Sequence, residues 1–141
     1  MNDPDDQPFR LHALANVRPL RPIRVLVAGR DPRYARAMAF LLRRRGYDAR
    51  SGSTANGLFT DVETHEPEVV VLVEADSFGD TVGLAVQILG LSDTVSVIVA
   101  TARHDAPPSN RLRFVDKWAS FDEVVEAVER AWAELPPVGA R

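Results

Sequence analysis

Hydrophobic positions in this chain follow two rhythms, and the switches between them mark its elements. Residues 67–76, Pro-Glu-Val-Val-Val-Leu-Val-Glu-Ala-Asp, contain five consecutive aliphatic residues closed off by acidic groups. A strand with one solvated face alternates apolar and polar residues, and this run has no polar face. It therefore predicts the central strand of a parallel sheet covered by helices on both sides. Similar runs predict strands over 23–28 and 94–101, with shorter ones over 48–51 and 112–117.

Between these runs the apolar spacing changes to three and four residues. Tyr34, Met38, Leu41 and Leu42 predict a helix over 33–45 that Gly46 stops. Ser53 or Thr54 is the expected cap of a helix running to about residue 64, with Leu58, Phe59 and Val62 facing inward. A third helix is expected over 80–89, with Val82, Leu84, Ala85 and Leu89 as candidate buried positions. Ser120-Phe121-Asp122-Glu123 has the form of a capping box. Phe121, Val124, Val125, Val128, Ala131, Trp132 and Leu135 then recur at helical intervals until Pro136-Pro137. Residues 103–111, containing Pro107-Pro108, are too short and broken for a full helix and read as a loop.

This alternation predicts an α/β domain over 23–135, a doubly wound five-stranded parallel sheet in the order 2-1-3-4-5. Residues 1–22, with Pro4, Pro8, Pro19 and Pro22, form an expected flexible extension, and 136–141 a short tail. Within the extension, 9–17 suits a two-turn helix with Leu11, Leu14 and Ala15 on one face, either loosely attached or a docking segment. In such sheets ligands sit beyond the carboxyl ends of the strands, at the switch point between the first and third. That rule singles out Gly29, Arg30, Asp31, Val73, Glu74, Thr101 and Lys117.

Composition narrows the function classes. A chain of 141 residues suits one domain that buries roughly two-thirds of its unfolded-chain surface. Cysteine is absent, so disulfides and thiolate chemistry are excluded. The acidic start is followed by no apolar stretch long enough for a signal peptide or membrane span, and a soluble, cytoplasmic protein without membrane contact is expected. A net charge of -3 gives no general attraction to nucleic acid. Arg43, Arg44 and Arg45 lie in the last turn of the first helix, where cations offset the helix dipole. His12, His65 and His104 stand far apart and read as surface residues, so neither a metal nor another cofactor is expected. Asp31, Glu74, Asp76 and Asp105 read as solvated turn carboxylates, with an acidic cluster as the alternative, and no nucleophile elbow, P-loop or dinucleotide fingerprint occurs. Of 17 basic side chains, Lys117 is the sole lysine.

The segments "VLVAGRDP", "EPEVVVLV", "VIVATA" and "FVDKW" followed by "SFDEVVEAVERA" resemble a response-regulator receiver domain over residues 23–132. The resemblance implies a receiver-like fold with flavodoxin-like strand order, here with the helix between strands four and five shortened or lost. It also implies an acidic pair after strand one that binds magnesium, and an aspartate ending strand three that accepts a phosphoryl group. A threonine or serine and a lysine contact that group, and an aromatic residue on strand five reports the change. Thr101 and Lys117 match the two contacts by position, and Phe114 the aromatic residue. Gly29 and Arg30 stand in the place of the acidic pair, and Val73 in the place of the aspartate. That set offers magnesium no oxygen cage and phosphate no nucleophile. Glu74 reaches the site only if a bulge shifts the strand end. Arg30 instead suits the place of the metal, paired with Asp31 or Glu74. Trp118 replaces the proline that follows the lysine in the family, so the partner face differs. Phe114, Trp118 and the outer side of the last helix are candidates for an exposed apolar patch; alternatively Trp118 covers core left open by the shortened loop.

The expectation is a stand-alone atypical receiver domain in bacterial two-component signalling or regulation. It is expected to be no enzyme, to need no cofactor, to be independent of aspartyl phosphorylation, and to work through protein-protein contact with another regulator or with itself as a homodimer. The alternative is a regulatory domain with Thr101, Lys117 and Arg30 lining a pocket for a small anionic ligand. A third option is an enzyme using Glu74 and Lys117.

Overall fold

A computed structural model of the protein describes residues 21–54, 57–73, 77–102 and 111–134. Five strands, β1 (Arg24–Gly29), β2 (Asp48–Ser53), β3 (Val69–Val73), β4 (Ser96–Thr101) and β5 (Leu112–Asp116), form one parallel sheet in the order β2-β1-β3-β4-β5. Four helices are present among the described residues: α1 (Pro32–Arg44), α2 (Leu58–His65), α3 (Phe78–Leu89) and α4 (Phe121–Ala133).

Alternation within the strands explains why both faces are covered. Val25, Val27, Val69, Val71 and Ile98 project to one face, where they pack with Met38 and Leu42 of α1 and Val125 and Val128 of α4. Leu26, Val70, Leu72, Val97 and Val99 project to the other, against Leu58 and Val62 of α2 and Ala85 and Ile88 of α3. The all-aliphatic stretch of β3 thus serves two cores at once, each Val or Leu buried there contributing about 1.5–3 kcal/mol relative to exposure.

Helix boundaries follow their caps. Ser120 Oγ accepts from the Glu123 N–H at 3.2 Å, and Glu123 Oε1 accepts from the Ser120 N–H at 2.9 Å, completing the expected capping box. Gly46, at φ +97°, closes α1 in the left-handed region that favours glycine, its N–H donating to the Arg43 carbonyl. The arginines beside it are engaged within the fold. Arg43 donates to the Ala49 carbonyl at 2.7 Å, Arg44 lies over the Phe40 ring, and Arg45 pairs with Asp122 at 2.7 Å.

Several expectations are corrected. β2 continues to Ser53, because Gly52 and Ser53 stay in register with Ala28 and Gly29, so Ser53 is strand rather than cap. The cap of α2 is Gly57, at φ +72°, with no side-chain hydrogen bond. Leu41 is 38% exposed, since the buried stripe of α1 runs through Ala35, Met38, Ala39 and Leu42. On α3 the deeply buried positions are Ala85 and Ile88. His65 is buried rather than superficial, 7% exposed, because it shares the inward face of α2 with Leu58 and Val62. Its Nε2 has no hydrogen-bond partner. Burial, followed by the Arg50 charge, holds the imidazole pKa below its ordinary value, outweighing the opposing effect of Asp48 and the nearby backbone.

Arg21, within the expected extension, forms a two-pronged pair with Glu68 at 3.0 Å, and Glu68 also accepts from the Arg24 N–H at 2.8 Å. Of the loop expected over 103–111, residues 103–110 lie outside the described residues, as do residues 1–20 of the extension and the 136–141 tail.

Candidate functional site

The site is built where the sheet order reverses, beyond the carboxyl ends of β1 and β3. β1 ends in Gly29, and the chain passes through Arg30 and Asp31 into α1. Asp31 caps that helix: its Oδ1 accepts from the Arg33 N–H at 3.0 Å and lies 3.7 Å from Arg33 Nε, while Pro32 occupies the first turn. Its carboxylate is thereby tied to the helix start.

Gly29 and Val73 approach each other closely. A Cβ added to Gly29 would lie 3.2 Å from Val73 Cβ and 3.6 Å from Val73 Cγ2. This is tighter than ordinary carbon contacts, so a side chain at position 29 requires Val73 to shift. The space beside Gly29 is thus filled by the Val73 side chain.

On the far side, β4 ends in Thr101, which is fully buried and whose carbonyl accepts from the Lys117 N–H at 2.9 Å. β5 ends in Asp116, whose Oδ1 accepts from the Trp118 N–H at 2.7 Å, while the Asp116 carbonyl accepts from the Ala119 N–H at 2.9 Å. This side-chain-to-backbone turn is the usual use of an aspartate where a chain reverses. It sets Lys117 and Trp118 at the mouth of the site, with Lys117 Nζ 5.7 Å from the Trp118 ring centroid.

The result is a cleft of about 650 Å³. Arg30, Asp31 and Tyr34 line it from the β1–α1 side, Lys117, Trp118 and Ala119 from the β5–α4 side, and Val73 from the end of β3. Arg30, Asp31, Val73 and Lys117, all singled out by the strand-end rule, therefore line one cleft, and Trp118, expected on an interaction face, joins them. Thr101 is not among the described lining residues, because its side chain is buried in the sheet. Glu74, with Asp76, His104 and Asp105, lies outside the described residues. Tyr34 lines the cleft as well as packing against the core on the face its helical spacing implied. Its place in the first turn after the switch point was the signal available. It is half-buried, and burial pushes its phenol pKa up, so the ring carries a neutral hydroxyl at neutral pH.

Trp118 is 81% exposed, which excludes the arrangement in which it covers open core. Nor do Phe114 and Trp118 form one apolar patch with α4. Phe114 packs against the α2 and α3 face of the sheet while α4 packs on the other, and the exposed side of α4 carries Asp122, Glu123, Glu126 and Arg130. Phe40 and Leu41 on α1 are the larger exposed apolar neighbours in sequence. Among the described residues no three His, Asp or Glu side chains converge as metal ligands, and no helix is long and apolar enough to cross a membrane.

Neither protein-family models nor curated proteins match this chain. Solved structures do. A response regulator receiver domain protein from Bacillus halodurans is 15% identical at a TM-score of 0.63, the match covering 83% of this chain and 100% of that one. A chain from the crystal structure of histidine kinase ThkA in complex with response regulator protein TrrA is 21% identical at 0.64, covering 77% and 97%. The structure of a transiently phosphorylated "switch" in bacterial signal transduction is 19% identical at 0.64, covering 82% and 98%. The fold is receiver-like. At these identities the likeness speaks for architecture and strand order, and the chemistry has to be argued from the residues of this chain.

Proposed function

We propose that this chain is a regulatory receiver-like domain, not an enzyme, that works through protein-protein contact and without aspartyl phosphorylation. The observation carrying this reading is the close packing of Val73 on Gly29, which leaves a Cβ at position 29 only 3.2 Å from Val73 Cβ, at the place where the resemblance calls for magnesium ligands and a phosphate acceptor. Magnesium does not fit these residues: it takes carboxylate and water oxygens at about 2.1 Å, whereas position 29 has no side chain and position 30 is a guanidinium. Valine has no oxygen with which to form an acyl phosphate. The partner is another regulatory protein or a second copy of the chain. The ThkA–TrrA complex supports this class of partner, being a contact between two signalling proteins.

The test is incubation of the protein with acetyl phosphate and magnesium, followed by intact-mass measurement. No phosphoryl adduct is expected; an adduct on Glu74 or elsewhere at the strand ends refutes the reading. Light scattering checks the homodimer. A second reading, in which a small anionic ligand occupies the same end of the sheet, is favoured by one observation: Arg30 and Lys117 converge on a single cleft from different elements.

A further inference from the structure

The cleft holds more than its two cations account for. An orthophosphate or simple carboxylate fills a small part of about 650 Å³, a volume in the range of about 300–1,000 Å³ usual for small organic ligands. Two of its walls are aromatic. Tyr34 contributes a half-buried ring from α1, and Trp118 an indole from the turn before α4. Trp118 is 81% exposed, yet its backbone is pinned by the 2.7 Å bond to the Asp116 carboxylate. A large aromatic side chain presented to solvent on a fixed turn has no packing role in the isolated domain, whereas such rings are effective stacking surfaces for flat ligands. Val73 adds an apolar surface between the two sides. Asp31 is the one acidic group among the described lining residues, and its carboxylate is engaged by the Arg33 N–H and side chain at the start of α1.

We infer that this cleft binds a planar aromatic anion, its ring stacked on Trp118 and its carboxylate or phosphate held by Arg30 and Lys117. This rests on the small-ligand reading above and names the chemical class that reading leaves open. Either charge carrier satisfies the geometry, since guanidinium and ammonium groups bind carboxylate and phosphate alike. Lys117 already lies within cation–π distance of Trp118, so a stacked ring is placed beside the positive charge that its anionic substituent needs.

The experiment is calorimetric titration of the full chain with two aromatic anions, indole-3-carboxylate and adenosine 5′-monophosphate. The uncharged indole and adenosine and the non-aromatic acetate and inorganic phosphate serve as controls. Proton–nitrogen spectra follow the indole N–H signals of Trp118 and Trp132 in parallel. At least one aromatic anion is expected to bind about tenfold or more tightly than its uncharged and non-aromatic halves, moving the Trp118 signal and leaving that of Trp132 in place. Preference for the carboxylate or for the nucleotide identifies the ligand source. Trp118→Ala and the pair Arg30→Gln with Lys117→Gln are each expected to weaken binding about tenfold, and circular dichroism checks that the fold is retained. The inference is overturned if neither aromatic anion saturates the protein by about 10 mM, or if binding is indifferent to both sets of substitutions. Binding of acetate or inorganic phosphate as tight as that of the aromatic anions sinks this inference and leaves the small-anion reading standing; absent binding of every anion sinks both.

Discussion

Replacing His65 by leucine is expected to stabilise the protein, and increasingly so toward acid pH. His65 is 7% exposed on the inward face of α2, and its Nε2 has no partner. A buried polar atom left unpaired costs about 1–3 kcal/mol, which leucine removes. Leucine is also the better helix former by a few tenths of a kcal/mol, while imperfect repacking of a similar volume costs up to about 1.5 kcal/mol. The net expectation is a gain of about 1 kcal/mol near neutral pH. The pH dependence has a definite sign. Burial first, and Arg50 second, lower the pKa of His65 in the folded state. Above its ordinary value of 6.5 the imidazole is neutral in both states and contributes no slope. As pH falls below that value the unfolded chain takes up a proton that the folded chain refuses. Wild-type stability is then lost at up to about 1.4 kcal/mol per pH unit, until the lowered folded pKa is reached. Leucine takes up no proton, so the gap between variant and wild type widens across that window. Urea unfolding followed by circular dichroism, at about pH 7.5 and about pH 5.5, measures both quantities. A variant less stable than wild type at the higher pH, or a constant gap across the two, refutes the reasoning.

Two further outcomes are expected from the same urea assay. Ser120→Ala removes the oxygen that accepts the Glu123 N–H at the start of α4 and should cost about 1 kcal/mol; a change within a few tenths contradicts the role given to the capping box. Arg111→Met removes the donors to the Ser92 carbonyl at 2.7 Å and the Leu89 carbonyl at 2.9 Å, at the end of a helix with no basic residue in its last turn. A loss of about 1.5–3 kcal/mol is expected, and an unchanged midpoint shows that solvent replaces these bonds freely.

What the sequence disclosed and what it hid follow one physical rule. Where side-chain burial decides an element, the pattern is legible. The unbroken run of β3 announces two covered faces, and Ser120 with Glu123 announces the first turn of α4. Where the backbone decides, it is not. The second strand is expected over 48–51, but its continuation through Gly52 and Ser53 rests on main-chain pairing with Ala28 and Gly29, of which the polar sequence carries little trace. The cap of α2 is likewise a backbone conformation at Gly57, hidden beside the more conspicuous Ser53 and Thr54. His65 misled because its polarity was weighed above its position, although it falls seven residues after Leu58 and three after Val62, on the buried face. At the site, strand-end positions were legible from topology. That Trp118 faces solvent and Tyr34 faces the cleft depends on packing that no spacing encodes.

A crevice at the switch point follows from strand order alone, whatever residues fill it. Its sign does not. Among the described lining residues, Arg30 and Lys117 set two positive charges against the one carboxylate of Asp31, a balance that opposes a divalent cation and favours an anion. The apolar side of the arrangement is equally interdependent. Aspartate at position 73 alone supplies a nucleophile without the cation that neutralises phosphate, and a carboxylate at position 29 alone drives its Cβ against Val73. Positions 29, 30 and 73 therefore act as one unit, in which the glycine accommodates the valine and the arginine places a fixed positive charge where the resemblance calls for an acidic residue. Under the reading proposed here, phosphate-acceptor chemistry lies several coordinated substitutions away, while the cleft between Trp118 and Arg30 stays suited to anions.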